Sequence, residues 1–564
     1  MTKRLSIPIY LVTIFFFAIF FLWPICQVLT GAFYDIDGKF TFAFIQEVFK
    51  NEVYVEGLRN ALGIAFFSTL FALLIALPLA RLADKYDFPG KRFFMALVLL
   101  PIMLPPFVGA IGIRQLLSPY GSVNVILQKI GLLAPHEYIN WLGEGQFWGI
   151  IIVNALSLYP ILYLNAVASL ANVDPALEEA AQNLGCHRFR KFFKITLPLI
   201  RPGLFAGCTI VFIWSFTELG VPLIFDYSRV TSVQIFHGLK NLGNDPFPYA
   251  LVVVLFMLSL MVYAMGKGLF GRNPFTMMAK ANQAKSTQFL GPWGKLWCFL
   301  AFSTVIFFAL LPHISVILIS FSSDWYQSIL PSSWTLGNYE IALGSHYTLP
   351  SIKNSLFYSG CATLLNVFLG IGIAFVIVRS KLPGRNILDA VAMLPLTVPG
   401  IVMAFGYLAM SQEGNFFSFL NPVENPTALL IIAYAVRKLP FMVRSAISGL
   451  QQISSTYEEA AQNLGCSPLK SSVKITIPLI LANLMAGGLL VFSQTMLEVS
   501  DSLILAQKQQ FYPITKAIYV LMNLLGDGPF IACALGVWAM AFLAVTIVGA
   551  SLLLGKNLGS IFKV

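Results

Sequence analysis

Charge is what this chain has least of. Asp, Glu, Lys and Arg make up 11% of its 564 residues, against roughly 25% in soluble proteins. Hydrophobic residues make up 57% and the mean hydropathy is +0.78, which excludes a water-soluble globular domain. Cysteine is sparse too: the seven, at 26, 186, 208, 298, 361, 466 and 533, are odd in number and scattered, which leaves neither a disulfide framework nor a metal site. The five histidines show no ligand spacing either. No Gly-x4-Gly-Lys-[Ser/Thr] phosphate loop occurs, because Gly291-Pro292-Trp293-Gly294-Lys295 has the wrong spacing. The chain therefore cannot hydrolyse ATP through such a loop, and no catalytic residue is assigned.

What fills the space is apolar sequence in runs of about 20 residues, enough to cross about 30 Å of hydrocarbon. About twelve such runs can be read, among them 93–113, 387–410 and 427–450. They are continuous rather than alternating, so the expected fold is an all-α polytopic membrane protein of about twelve transmembrane helices, not a barrel. The net charge of +11 could suggest nucleic acid, but the cations form no single patch. Taking alternate loops as one side, about 26 of the 36 Lys and Arg fall on the side that also holds both termini, which is expected to be cytoplasmic. The bilayer is the partner this implies, with no nucleic acid. Lys3 and Arg4 ahead of an apolar stretch resemble a signal peptide, but no small-x-small site follows Trp23-Pro24-Ile25, so a retained first span is expected.

The chain is an internal duplication. Asn60/Asn354, Pro89/Pro383, Pro101/Pro395, Pro105/Pro399 and Gly112/Gly406 pair at a shift of 294, and Pro160/Pro440 through Glu218/Glu498 at a shift of 280. The first half thus carries fourteen extra residues, within Pro119–Gln146. Six spans per repeat is an even number, so both copies enter the membrane the same way, as parallel repeats do. The expected domains are 1–270 and 295–564, joined by a polar cytoplasmic linker at 271–294.

The most informative polar segment is the string EEAAQNLGC, at 178–186 and again at 458–466, each copy followed at one distance by Lys-Ile-Thr-[Leu/Ile]-Pro-Leu-Ile. Asp174-Pro175 offers an N-cap with proline at the first helical position, and Ser455-x-x-Glu458 has the form of a capping box. Gly185 and Gly465 supply left-handed termini, so two short helices are expected. Leu177, Ala180, Ala181 and Leu184, like Tyr457, Ala460, Ala461 and Leu464, form a narrow apolar stripe. Glu178, Glu179 and Gln182, with Glu458, Glu459 and Gln462, form the polar side. A solvated face is the plain reading of one such pair of glutamates; nine identical residues repeated in register favour a surface met twice by the same partner.

Glu179-Ala180-Ala181-x3-Gly185-x9-Ile195-x-Leu197-Pro198 and Glu459-Ala460-Ala461-x3-Gly465-x9-Ile475-x-Ile477-Pro478 resemble the EAA loop of type I ABC importer permeases. Ile477 in place of the usual leucine is the one departure. The resemblance implies the MetI-like fold and a coupling helix docking into a cytoplasmic ATPase. Glu178, Glu179, Ala180, Ala181 and Gly185, with Glu458, Glu459, Ala460, Ala461 and Gly465, would be the docking residues. The implied partners are two ATPase subunits, which would hold ATP and Mg, and a periplasmic substrate-binding protein; the chain itself would bind no cofactor. The competing class is an ion-gradient-driven secondary transporter, which can also have twelve spans and needs no ATPase.

Ionisable groups within spans are functional candidates: here Arg437 and Arg444 in the tenth run, and Glu218, Glu498 and Asp501 at the ends of the fifth and eleventh. Internal pairing and a polar lining of the transport path are both open. Proline breaks at Pro101, Pro105 and Pro106, and at Pro395, Pro399 and Gly400, point to a path or to packing kinks. Two segments, 214–223 and 437–445, look most like ferric iron permeases of the Fbp type, with thiamine, phosphonate and sugar-phosphate permeases as alternatives.

Overall fold

The computed structural model describes residues 3–34, 38–103, 105–239, 246–270 and 288–553. Among them, nine helices are long and apolar enough to cross a membrane, and two bent pairs bring the total to eleven. The remaining expected span is the 26-residue helix Thr427–Gln452, whose Arg437, Lys438 and Arg444 lower its apolar content. The expected twelve-helix architecture is thus present, and among the described residues strand is confined to two-stranded pairings such as Tyr86–Asp87 with Gln288–Phe289. Linker residues 271–287 lie outside the described residues.

The third and ninth runs are broken helices rather than straight spans. Lys91–Ile102 meets Pro106–Lys129 at 93°, and Arg385–Leu396 meets Gly400–Met410 at 98°. Proline explains both breaks: it lacks an N–H, clashes with the preceding turn, and forces the residue before it to extend. Pro105 (ψ 116°) precedes Pro106 and is extended accordingly; Pro399 (ψ 138°) is extended as well, ahead of Gly400. Non-helical backbone at membrane depth persists only when protein covers it, and every residue of Gly400–Met410 is buried.

Contacts group the helices into two compact units that do not follow chain order. One contains Met1–Glu52, Gln234–Phe256 and Thr335–Val564; the other contains Val53–Val233 and Met257–Trp334. The first span therefore packs with second-repeat helices, and the seventh with first-repeat helices. Matching glycines make this possible. Gly406 lies against the Pro24 carbonyl, which a Cβ would approach to 2.8 Å, and Gly112 sits more tightly still on the Pro312 carbonyl. A side chain at either position would hold the backbones apart. Tyr407 adds a hydrogen bond to the Phe20 carbonyl at 2.7 Å, within the π-helical turn Ala18–Leu22.

The extra residues of the first repeat fold around Asn124. Its amide nitrogen donates to the carbonyls of Ser118, Pro119 and Ile139 at 3.0–3.2 Å, while its oxygen accepts from the Ile139 N–H and the Trp141 indole.

Candidate functional site

The two copies of EEAAQNLGC form helices Pro175–Asn183 and Thr456–Asn463. Both end in a Schellman motif. Cys186 N–H reaches the Ala181 carbonyl and Gly185 N–H the Gln182 carbonyl, and Cys466 and Gly465 repeat the pair at 3.0 Å each. Gly185 (φ 76°) and Gly465 (φ 87°) are left-handed with no atom within 4 Å of an added Cβ, so conformation rather than space selects glycine.

The N-termini differ. Asp174 caps the first helix, its carboxylate accepting from Ala176 N–H at 3.0 Å. The capping box expected at Ser455 is absent: Ser455 is itself helical and makes no side-chain cap, because the Glu458 carboxylate is engaged elsewhere. Asp174→Ala should therefore cost its helix about 1 kcal/mol and speed amide exchange across 175–183 about fivefold. Ser455→Ala should leave exchange across 456–463 unchanged, and hydrogen-exchange mass spectrometry of both variants is the check.

Within each string the adjacent glutamates take opposite roles, so the polar side expected of each helix is divided between an inward and an outward carboxylate. Glu178 turns inward. Its carboxylate accepts from Thr196 Oγ1 at 2.6 Å and lies 3.6–4.0 Å from Lys85, Lys191 and Arg81. Burial alone would raise this carboxyl, but the Thr196 hydroxyl and the three cations outweigh it and hold it below the ordinary carboxylate range. Glu458, 6% exposed, repeats the arrangement, with Arg379 at 3.1 Å and Thr476 Oγ1 at 3.0 Å. Lys85 and Arg379 correspond at the 294 shift, and Thr196 and Thr476 at the 280 shift, so the anchor itself is duplicated. A π-helical turn, Phe192–Thr196 and Ser472–Thr476, carries each threonine. The Lys-Ile-Thr string already contained these threonines, but nothing local in the sequence assigned them a partner.

Outward face Glu179 and Ala180, and Glu459 and Ala460, all exposed. The apolar stripe divides as well: Ala181 and Ala461 are buried, while Leu184 and Leu464 are 88% and 90% exposed. Each helix is thus fixed on its inner side and offers a carboxylate and a bare leucine on its outer side.

The intramembrane candidates separate in the same way. Arg437 ion-pairs with Glu498 and lies 3.4 Å from Asp501, while Lys438 is 3.1 Å from Glu498. Asp501 is fully buried, and its second oxygen has no hydrogen-bond partner. The guanidinium lies beside Gly400, where a Cβ would collide with it, so the break in the ninth run also makes room for this charge. Lys438 was not among the expected path residues, although it stands next to Arg437. Arg444 instead pairs with Asp389 at 3.4 Å. Glu218 accepts from Gly220 and Val221 N–H at 3.0 and 3.3 Å, capping Gly220–Ile224. Ser157 and Leu158 stand at the two cation positions of the first repeat, which is why equivalent glutamates differ in role. Among the described residues, no three His, Cys, Asp or Glu cluster as metal ligands would.

Residues 72–273 and 366–551 match the family described as binding-protein-dependent transport system inner membrane component. The ferric transport system permease protein FbpB of Actinobacillus pleuropneumoniae is 30% identical over 509 residues, 86% of this chain and 69% of the relative. A putative ferric transport system permease protein, FbpB 1 of Haemophilus influenzae, is 29% identical over 501 residues, 86% and 75% of the two chains. A solved bacterial ABC transporter involved in alginate import aligns over 48% of this chain and 96% of its own, at 22% identity and a TM-score of 0.40.

Proposed function

The chain belongs to the family of binding-protein-dependent transport system inner membrane components, and from that premise we propose that it carries ferric iron inward, driven by two ATPase subunits that dock on its repeated helices. It is a multi-pass inner-membrane permease of an ABC importer. In this reading Pro175–Asn183 and Thr456–Asn463 are the coupling helices and face the cytoplasm, as do the termini. The repeats 1–270 and 295–564 are its two permease domains, and the opposite face receives a loaded periplasmic binding protein.

One observation carries the docking assignment: both helices present an outward carboxylate and an exposed leucine while an inward carboxylate ties each to its own unit. Force applied to the first helix passes through Glu178 to Lys85 and Arg81 at the end of the second span, and through Thr196 to the fifth. Glu458 links the second helix to the eighth and eleventh spans through Arg379 and Thr476. The ferric assignment is supported by the two FbpB relatives. The buried group of Arg437, Lys438, Glu498 and Asp501 balances two cations against two anions, so in this reading it closes and braces the path.

Uptake in a deletion strain tests the substrate. Expression of this chain with its ATPase and binding protein should restore accumulation of ferric iron but not of thiamine, phosphonate or sugar phosphate. Restoration of one of those instead would overturn the ferric assignment.

A further inference from the structure

The two units differ where the first helix of one repeat meets the second span of the other. In the unit holding Met1–Glu52, the first span lies close against Thr348–Arg379, and a Cβ on Gly372 would come within 3.0 Å of Ile9. At the 294 shift, Gly372 corresponds to Pro78, which has a ring where the other helix has only hydrogen. In the unit holding Val53–Val233, the seventh span, Pro292–Ser320, stands off from the second.

A groove results, with two lobes of about 430 and 400 Å³ that share Leu74, Ile75, Thr304 and Val305. Its floor is formed by Ile152, Ala155 and Leu156 of the fourth span, and Pro78, Leu82 and Trp297 line one end. Apart from the Thr304 hydroxyl and the Trp297 indole N–H, the described lining is apolar. From Phe71 to Leu82 the groove runs eleven residues along one helix face, roughly 16 Å. One turn beyond Leu82 on that face stands Lys85, with Arg81 in the same turn, and Trp293 and Trp297 are 76% and 69% exposed at this end. Exposed tryptophans mark the headgroup level of a bilayer, and cations there attract acidic lipid.

We propose that this groove is a binding site for an anionic phospholipid, one acyl chain lying between the second and seventh spans and the phosphate at the Lys85 end. Lys85 also faces Glu178, so the lipid headgroup adjoins the anchor of the first repeated helix. The site rests on membrane insertion, on the groove and on the cations and tryptophans at its end, and it holds whichever substrate the permease carries.

Native mass spectrometry of the full chain from nanodiscs of equal parts phosphatidylglycerol and phosphatidylcholine tests it. The wild type should retain one phospholipid after detergent washing, with about a fivefold preference for phosphatidylglycerol, as expected for one lysine at the headgroup level. Ala301→Trp fills the groove with apolar bulk and should lose that lipid while eluting as a folded protein. Phe368→Trp, on an exposed face of the eighth span, should keep it. Equal retention of both lipids by the wild type, an undiminished signal in Ala301→Trp, or a co-purifying peptide in place of lipid would each overturn the proposal.

Discussion

Reversing the charge of the two outward glutamates together, Glu179→Lys with Glu459→Lys, is expected to abolish uptake while leaving the amount of permease in the membrane unchanged. Both side chains are exposed, so neither substitution disturbs a packed contact. At a docking surface, placing like charges together costs several kcal/mol; at about 1.5 kcal/mol for each copy, the pair weakens ATPase attachment more than about a hundredfold. Tagged permease should then bring down almost no ATPase. The inward pair supplies the contrast, since Glu178→Gln and Glu458→Gln leave the outer surface intact and should weaken transmission more than attachment. Wild-type ATPase recovery with the double lysine variant would remove the docking assignment.

Arg437→Met should produce a large loss of stability. It leaves Glu498 with only Lys438 and strands Asp501, whose second oxygen is already without a hydrogen bond. Breaking one partner out of a buried ion network typically costs about 3–5 kcal/mol. Removing all four charges together, with Arg437→Met, Lys438→Met, Glu498→Gln and Asp501→Asn, should regain most of that loss, because the desolvation penalty disappears along with the attraction. Unfolding of both variants in detergent measures the difference, and a single variant as stable as the wild type would mean that the cluster does not brace the unit.

What was legible in the sequence was local or repeated. The apolar runs predict the spans because crossing hydrocarbon is a property of about 20 consecutive residues. Gly185 and Gly465 predict the helix ends, and the matched prolines predict the breaks, because each residue constrains its own backbone. The direction of Glu178 and Glu458 was not legible. It is set by Thr196 and Thr476, which lie eighteen residues on, and by Lys85 and Arg379, which come from another span. The same long-range choice defeated the capping box at Ser455: the half-buried Arg379 outcompetes a backbone N–H for the Glu458 carboxylate. The unlike roles of Glu218 and Glu498 were partly legible, since Ser157 and Leu158 already stood opposite Arg437 and Lys438 in the aligned repeats.

Tyr407 hydrogen-bonds to a carbonyl 387 residues before it, and that separation has a consequence in time. At a synthesis rate of about 5–20 residues per second, the first span waits roughly 20–80 s in the bilayer before its docking surface at Gly400–Met410 has been made. Throughout that interval Pro24 and Phe20 can face only lipid or the translocation machinery. A ribosome that stalls between the repeats leaves this side of the first span uncovered, although Gly31 already meets Tyr249 of the sixth, and the bare side gives cellular quality control a ready mark of an unfinished chain.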